Sequence, residues 1–291
     1  MATHEVRASG LEYLALATEL LQRARLADAE AGLWEAADLQ WWWRTPRRSD
    51  AVGHIFWIDD EGPVAGVVLT DWGRAWACDP IVVPGVSTVQ FPTVWARALE
   101  AINGLGLRAV EVLARDDDLE LQGLLARAGF AADKYRSGIT WMHAPDRPNV
   151  AGLPEGFALV DRTGSTTSLH PMRGRSGDGV QARLMQCSLY DPELDLAVEA
   201  ADGSVAGYAL FWFDPVTEVG LLEPMRVEGA YQRRGLARAM LSAGLDRLAQ
   251  QGARRLKVGY ATDVARALYT GAGFQVTSTT RSYTWRRPEP V

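Results

Sequence analysis

Gln232-Arg233-Arg234-Gly235-Leu236-Ala237 decides the reading of this chain. It stands between a strand-like run, Val219 to Val227, and a segment, Arg234 to Gln251, whose Ala237, Leu241, Leu245 and Leu248 recur at helical spacing and which Gly252 is placed to end. The first amide N–H groups of a helix have no partner inside it, and they carry the positive end of its dipole. An anion suits such a corner. Gly235 leaves the backbone bare, Ala237 keeps the first turn narrow, and Arg233 and Arg234 add positive charge. A bound diphosphate would satisfy the loop, which is not a nucleotide P-loop because no Gly-Lys-Ser or Gly-Lys-Thr follows to hold a metal-bound triphosphate; the plain alternative is a solvated helix start.

Outward from this stretch the second half reads as strands and helices in mixed order. Phe157 to Asp161 suits a strand and Ala182 to Gln186 a stub of helix. Asp202-Gly203 is a hairpin turn between Leu194 to Ala200 and Val205 to Phe213. Leu256, Val258 and Tyr260 alternate as a strand, and Asp263 is placed to cap a short helix carrying Val264, Leu268 and Tyr269. Phe274 to Ser278 and Arg281 to Trp285 are expected to close the domain as a hairpin. The fold class is α+β, a mixed, mostly antiparallel sheet flanked by helices.

The same landmarks occur earlier in the chain. Ala-Gly-Phe ends at Phe130 and again at Phe274, 144 residues on, and the same offset relates Ile139-Thr140-Trp141 to Tyr283-Thr284-Trp285 and Asp79-Pro80 to Glu223-Pro224. The hairpin around Asp60-Glu61-Gly62-Pro63 answers that around Asp202-Gly203. One domain is present twice. Between the copies, Ala144 to Gly156 is too rich in proline and glycine for a helix or central strand, so the boundary is placed near residue 150, giving domains 1–150 and 151–291.

Composition narrows the function. The chain has 291 residues, 47% apolar, with 30 Lys and Arg against 36 Asp and Glu; a net charge of −6 argues against a nucleic-acid partner. Cys78 and Cys187 lie far apart, outside any metal or disulfide pattern, and both are expected reduced and buried. His4, His54, His143 and His170 show no ligand spacing, and a surface role is the default for His170. Asp116-Asp117-Asp118 reads as a solvated loop, so no metal is expected. No secretion signal or membrane-length apolar run is present in the sequence, which points to a cytoplasmic protein without a membrane partner.

The order Gln232, Gly235, Ala237, then a helix, a strand, Leu268-Tyr269 and Gly273-Phe274 resembles the GCN5-related N-acetyltransferase (GNAT) family, over all of residues 151–291 and more faintly over 1–150. The resemblance implies two tandem GNAT-like domains. It also implies acetyl-CoA as co-substrate, its diphosphate held by Gln232, Arg233, Arg234, Gly235, Leu236 and Ala237 and its pantetheine arm by the main chain of Met225, Arg226 and Val227. Tyr269 falls where the family's proton donor to the departing thiolate stands, with a core tyrosine as the alternative. Glu223 is a candidate base, two and four residues before Met225 and Val227 and so on their face of a regular strand, with a purely structural acid as the alternative. Many family members carry an asparagine before the last helix; here Thr262 stands in that stretch as its candidate substitute.

The first copy departs from the pattern. Phe91 and Pro92 stand opposite Gly235 and Leu236, and Leu125 opposite Tyr269, so residues 1–150 are expected to be a degenerate domain, a scaffold or one wall of the acceptor site. Consecutive tryptophans on a helix point different ways, so Trp41-Trp42-Trp43 are expected to pack between the domains, with an acceptor-binding ring as the alternative. These readings imply direct transfer of an acetyl group to the amine of a small molecule, in a chain compatible with a homodimer. A non-catalytic acyl-CoA sensor and a protein N-terminal or lysine acetyltransferase stay open.

Overall fold

The computed structural model describes residues 3–30, 32–86, 88–163 and 169–287. The first half runs β1 (His4–Ala8), α1 (Gly10–Ala27), α2 (Ala36–Trp43), β2 (His54–Asp59), β3 (Gly62–Asp71), β4 (Trp76–Val82), α3 (Phe91–Gly104), β5 (Ala109–Arg115), α4 (Leu119–Arg127) and β6 (Ala131–His143). The second runs β7 (Phe157–Val160), α5 (Arg173–Ser176), α6 (Val180–Leu184), β8 (Asp195–Ala200), β9 (Val205–Asp214), β10 (Val219–Val227), α7 (Leu236–Gln250), β11 (Arg255–Tyr260), α8 (Asp263–Gly271) and β12 (Gln275–Arg286). The hairpins form as expected, with Gly62 and Gly203 at positive φ in their turns. Two elements correct the sequence reading. Thr262, not Asp263, caps α8, its hydroxyl accepting from Ala265 N at 3.2 Å. The closing hairpin does not exist, because β12 is one continuous strand whose far end pairs with β5.

That pairing changes the organisation. The chain forms two compact units, but they do not part at residue 150: the first comprises residues 1–39, 46–137 and 278–291, the second 40–45 and 138–277. In the first unit the strand order is β1-β2-β3-β4-β5-β12, with Thr280 to Arg286 antiparallel to Arg115 to Ala109. In the second it is β6-β11-β10-β9-β8-β7, with Gly138 to His143 antiparallel to Tyr260 to Arg255. Each unit is closed by the strand that ends the other copy. A strand edge selects a partner by backbone ladder and side-chain alternation, and β6 and β12, which follow the Ala-Gly-Phe landmark of their own copies, pair with the other copy's edge.

The second unit's core lies between its sheet and α7. The buried stripe of α7 is Leu236, Met240, Leu241, Leu245 and Leu248, while Ala237 sits at its margin. Gly244 permits the closest approach: a Cβ there would lie 2.1 Å from the ring of Phe211, a fully buried residue of β9. The tryptophan run also packs in this unit. Trp41, Trp42 and Trp43 are buried, Trp43 Nε1 donates to Gln186 Oε1 at 2.8 Å, and Arg183 lies 3.5 Å over the Trp43 ring. Gln40 fixes the same segment through Ser188 Oγ and Leu189 N.

Candidate active site

The second unit opens where two of its strands part. β10 and β11 run parallel through Val219–Arg255, Gly220–Leu256 and Leu221–Lys257, and there the ladder ends. From Leu222 onward β10 keeps β9 on one side only, so its other edge has backbone donors and acceptors to offer a ligand. Between Leu222 and Met225 the register slips: Leu222 faces Phe211 and Met225 faces Ala209, so β10 carries one extra residue. Trp212 Nε1 donates to the Glu223 carbonyl at 2.8 Å inside this bulge.

The bulge corrects one step of the sequence argument. The extra residue shifts the alternation, so the two-residue spacing does not carry Glu223 onto the face of Met225 and Val227. Met225 and Val227 pack against the core with Leu222, and they and Glu223 are half-buried. Arg226 is exposed and pairs with Glu228 at 3.1 Å. Pro224 alone does not announce the bulge, because its repeat counterpart Pro80 sits in β4 within an unbroken ladder.

The loop beyond β10 is built for exposed amides. Gln232 Nε2 donates to Val227 O at 3.1 Å and ties the loop to the strand end. Arg233 holds φ at 61°, and Gly235, the N-cap of α7, holds φ at 83°. A Cβ on Gly235 would meet nothing within 4 Å, so glycine is needed for the angle alone. A left-handed Gly235 followed by helical Leu236 turns neighbouring N–H groups to a common side, the geometry of an anion nest. Ala239 N donates to Gly235 O at 3.1 Å, so the amides of Leu236, Ala237 and Arg238 have no helical partner. Residues 232 to 235 are all exposed.

Tyr269 sits on α8, 7% exposed, its ring edge-on to Phe274 at 6.2 Å. Burial pushes its phenol above the ordinary tyrosine range, and the Glu223 carboxylate adds to the shift. The two side chains are therefore in electrostatic reach, and the phenol keeps its proton. Thr262 is exposed and its hydroxyl is engaged as the α8 cap.

In the first unit a parallel pair, β4 and β5, also parts, but the bulge, the left-handed glycine cap and the buried phenol are absent from the corresponding places among the described residues. β3 and β4 keep an unbroken register from Asp71–Trp76 to Ala65–Val82. α3 begins at Phe91 with Pro92 in its first turn, and Leu125 is fully buried; Ser87, in the preceding loop, lies outside the described residues. Sequence reasoning also missed a buried cluster in the second unit. His170, placed at the surface by default, is 6% exposed; it accepts from Met172 N at Nδ1 and meets Asp195 Oδ2 at 2.8 Å, where Tyr190 OH also donates. A histidine 25 residues from its partner in sequence carries no local signal of that contact. Both cysteines are buried and free. Among the described residues no group of His, Cys, Asp or Glu could hold a metal, and no helix is long and apolar enough to cross a membrane.

The second unit thus presents a parted strand pair, exposed amides at a helix start and a buried phenol. Residues 170–274 match the model of the acetyltransferase (GNAT) family. Over 189 residues the chain is 31% identical to the mycothiol acetyltransferase of Clavibacter michiganensis subsp. michiganensis (strain NCPPB 382); the match spans 62% of this chain and 55% of that protein, so little more than half of that relative is represented. The whole chain has the fold of a tandem GNAT protein from the clavulanic acid biosynthesis pathway (14% identity, 99% of this chain and 100% of that one, TM-score 0.71). A GCN5-related N-acetyltransferase from Sphaerobacter thermophilus is similar in fold too (16% identity, 99% and 97% covered, TM-score 0.66). The chain is thus built from two copies of the GNAT fold.

Proposed function

We propose that the second unit is an acyltransferase that moves an acetyl group from acetyl-CoA to the amine of a small molecule by direct attack. The observation that carries this reading is the pairing of Gly235's left-handed cap with a protonated Tyr269 beside Glu223. The loop from Gln232 to Ala237 would hold the diphosphate, and the open edge of Met225 to Val227 the pantetheine amides. The exposed loop and the unladdered strand edge fit both. Thr262 is assigned a lesser cofactor contact through its hydroxyl proton. When bound, the cofactor supplies a thioester carbon open to a nucleophile. The acceptor nitrogen bonds to that carbon, its proton passes to Glu223 directly or through water, the carbon–sulfur bond breaks, and Tyr269 gives its phenol proton to the thiolate. Both cysteine thiols are held protonated by burial, which supports attack without a covalent enzyme intermediate.

The name of the Clavibacter relative places a small molecule on its side of the reaction, which supports the same acceptor class here. The test is calorimetric titration with acetyl-CoA followed by thiol release over a panel of small amines and of peptides with free N-termini or lysines. One cofactor per chain and turnover on small amines are expected. Turnover confined to peptides would move the acceptor class, and cofactor binding with no turnover on any amine would turn the reading into a sensor.

A further inference from the structure

We propose that the first unit has a binding site of its own, for a small amine with an apolar body, in the cavity where β4 and β5 part. The two strands run parallel only through Trp76–Val110 and Ala77–Glu111. Beyond them lies a cavity of about 240 Å³. Leu21, Leu33, Ile81, Val82, Phe91 and Leu113 give it an apolar lining. Phe91 is the residue whose bulk replaces the bare glycine of the second unit, so the change that removes the anion corner also walls this space.

Asp79 lines the same cavity and is 6% exposed. Its Oδ1 accepts from Trp34 Nε1 at 2.8 Å, while its Oδ2 is buried with no hydrogen-bond partner. A carboxylate oxygen left unpaired inside a protein is costly, and a ligand that donates to it recovers that cost. The torsion that turns a carboxylate about its own axis is soft, so a small rotation presents Oδ2 to an occupant. The cations at the rim are matched elsewhere. Arg25 holds Glu35 at 2.6 and 3.0 Å, and Arg115 holds Asp117 at 2.7 and 2.9 Å. Asp118, also in the lining, caps α4 through Leu121 N. The charge left over is therefore negative, and burial holds the Asp79 carboxyl at about 6, so it is ionised at pH 7.5. An ammonium group answers that charge where a neutral hydroxyl does not. The size also selects: a dry apolar cavity of ~150 Å³ accepts benzene, so this one admits a ring with a short arm.

The experiment uses the full chain at pH 7.5 with 2-phenylethylamine and its neutral counterpart 2-phenylethanol, followed by calorimetry and by the Trp34 indole N–H resonance, assigned with Trp34→Phe. Read at the Trp34 signal, which reports this cavity alone, the amine should saturate one site and bind on the order of tenfold tighter than the alcohol. In Asp79→Asn, an isosteric change that leaves the Trp34 bond available, the preference for the amine should vanish while the fold persists by circular dichroism. No binding up to about 10 mM, equal affinity for amine and alcohol in the parent chain, or a preference that survives Asp79→Asn would each overturn the proposal and leave Oδ2 to an ordinary buried water. If Asp79→Asn does not fold, the amine-to-alcohol ratio in the parent chain decides alone.

Discussion

Replacing Gly235 separates a backbone requirement from a packing one. Its φ is 83°, and a Cβ there meets no atom within 4 Å, so an alanine costs nothing in packing and everything in angle. A non-glycine residue in the left-handed region costs about 1–2 kcal/mol. Residues 232 to 235 are exposed, so in the free protein the loop can relax and let the first turn of α7 loosen. Most of the strain then goes unseen in the melting temperature. Binding must restore the loop, and the strain reappears as lost affinity, about 5- to 30-fold in Kd for acetyl-CoA. Asparagine tolerates the left-handed region, so Gly235→Asn should lose only about twofold to fivefold. Calorimetric titration of acetyl-CoA into the parent, Ala and Asn chains measures the series. Ala binding as tightly as Gly would refute the argument outright. Equal losses in Ala and Asn would place the cause in the bulk of a side chain against the cofactor, not in the angle.

Tyr269→Phe keeps the ring that packs against Phe274, so melting temperature and acetyl-CoA affinity should hold while kcat falls about 10²- to 10⁴-fold; since burial and Glu223 keep the phenol protonated, the parent kcat should show no alkaline fall from this group up to about pH 9. Asp79 carries a carboxyl raised from 3.8 to about 6, so the native charge is a burden above pH 6 that is relieved as pH falls toward 4. Asp79→Asn should therefore be the more stable chain at pH 7.5, by at most about 3 kcal/mol, with the gap closing near pH 4. His54 works in the opposite sense, since burial lowers it to about 4 and stability is lost as pH falls below 6.5, so the comparison must be made between variants in denaturant melts and not from the parent's pH curve. A constant gap across that range would sink the assignment. Gly244→Ala raises helix propensity by about 1 kcal/mol, yet it puts a methyl 2.1 Å from the Phe211 ring and should destabilise by a net ~1–2 kcal/mol; an unchanged or higher melting temperature would contradict that contact.

Much of the second unit is legible in its sequence because its signals are local. Asp202-Gly203 sets a hairpin, the stripe from Leu241 to Leu248 sets a helix, and Gly235 announces the left-handed cap by being the only residue at ease there. What the sequence hides is set by partners far away. The bulge at Glu223 depends on which residue of β9 faces it, and the His170–Asp195–Tyr190 cluster is assembled across a loop. Asp263 looks as good a cap as Thr262, and only the start of α8 decides between them. The exchange of β6 and β12 leaves no local mark, because both strands follow the Ala-Gly-Phe landmark of their own copy and share Thr-Trp at the same repeat position, Thr140-Trp141 and Thr284-Trp285, while their pairing is set by distant partners.

That exchange makes a prediction opposite to the one the linker suggests. A chain of residues 151–291, cut where proline and glycine mark a boundary, has no β6, so Arg255 to Tyr260 become an open edge next to the core. It also carries β12, whose ladder partner β5 is missing. An unpaired strand and an unpaired edge in one small domain invite association. A chain of residues 138–277 corrects both faults. It restores the Gly138–His143 ladder, the buried Thr140 Oγ1 bond to Val258 O at 2.8 Å and the Lys257 contact with the Trp141 ring at 5.4 Å, and it drops the strand that belongs to the other unit. Soluble yield and a cooperative thermal transition should therefore favour 138–277 over 151–291, despite its being the shorter chain. If 151–291 is soluble and melts cooperatively, each copy can close its own sheet, and the exchange is a choice the fold can reverse. If only 138–277 does so, the first copy keeps its place for a physical reason independent of any chemistry: it supplies the strand that completes the second unit's sheet.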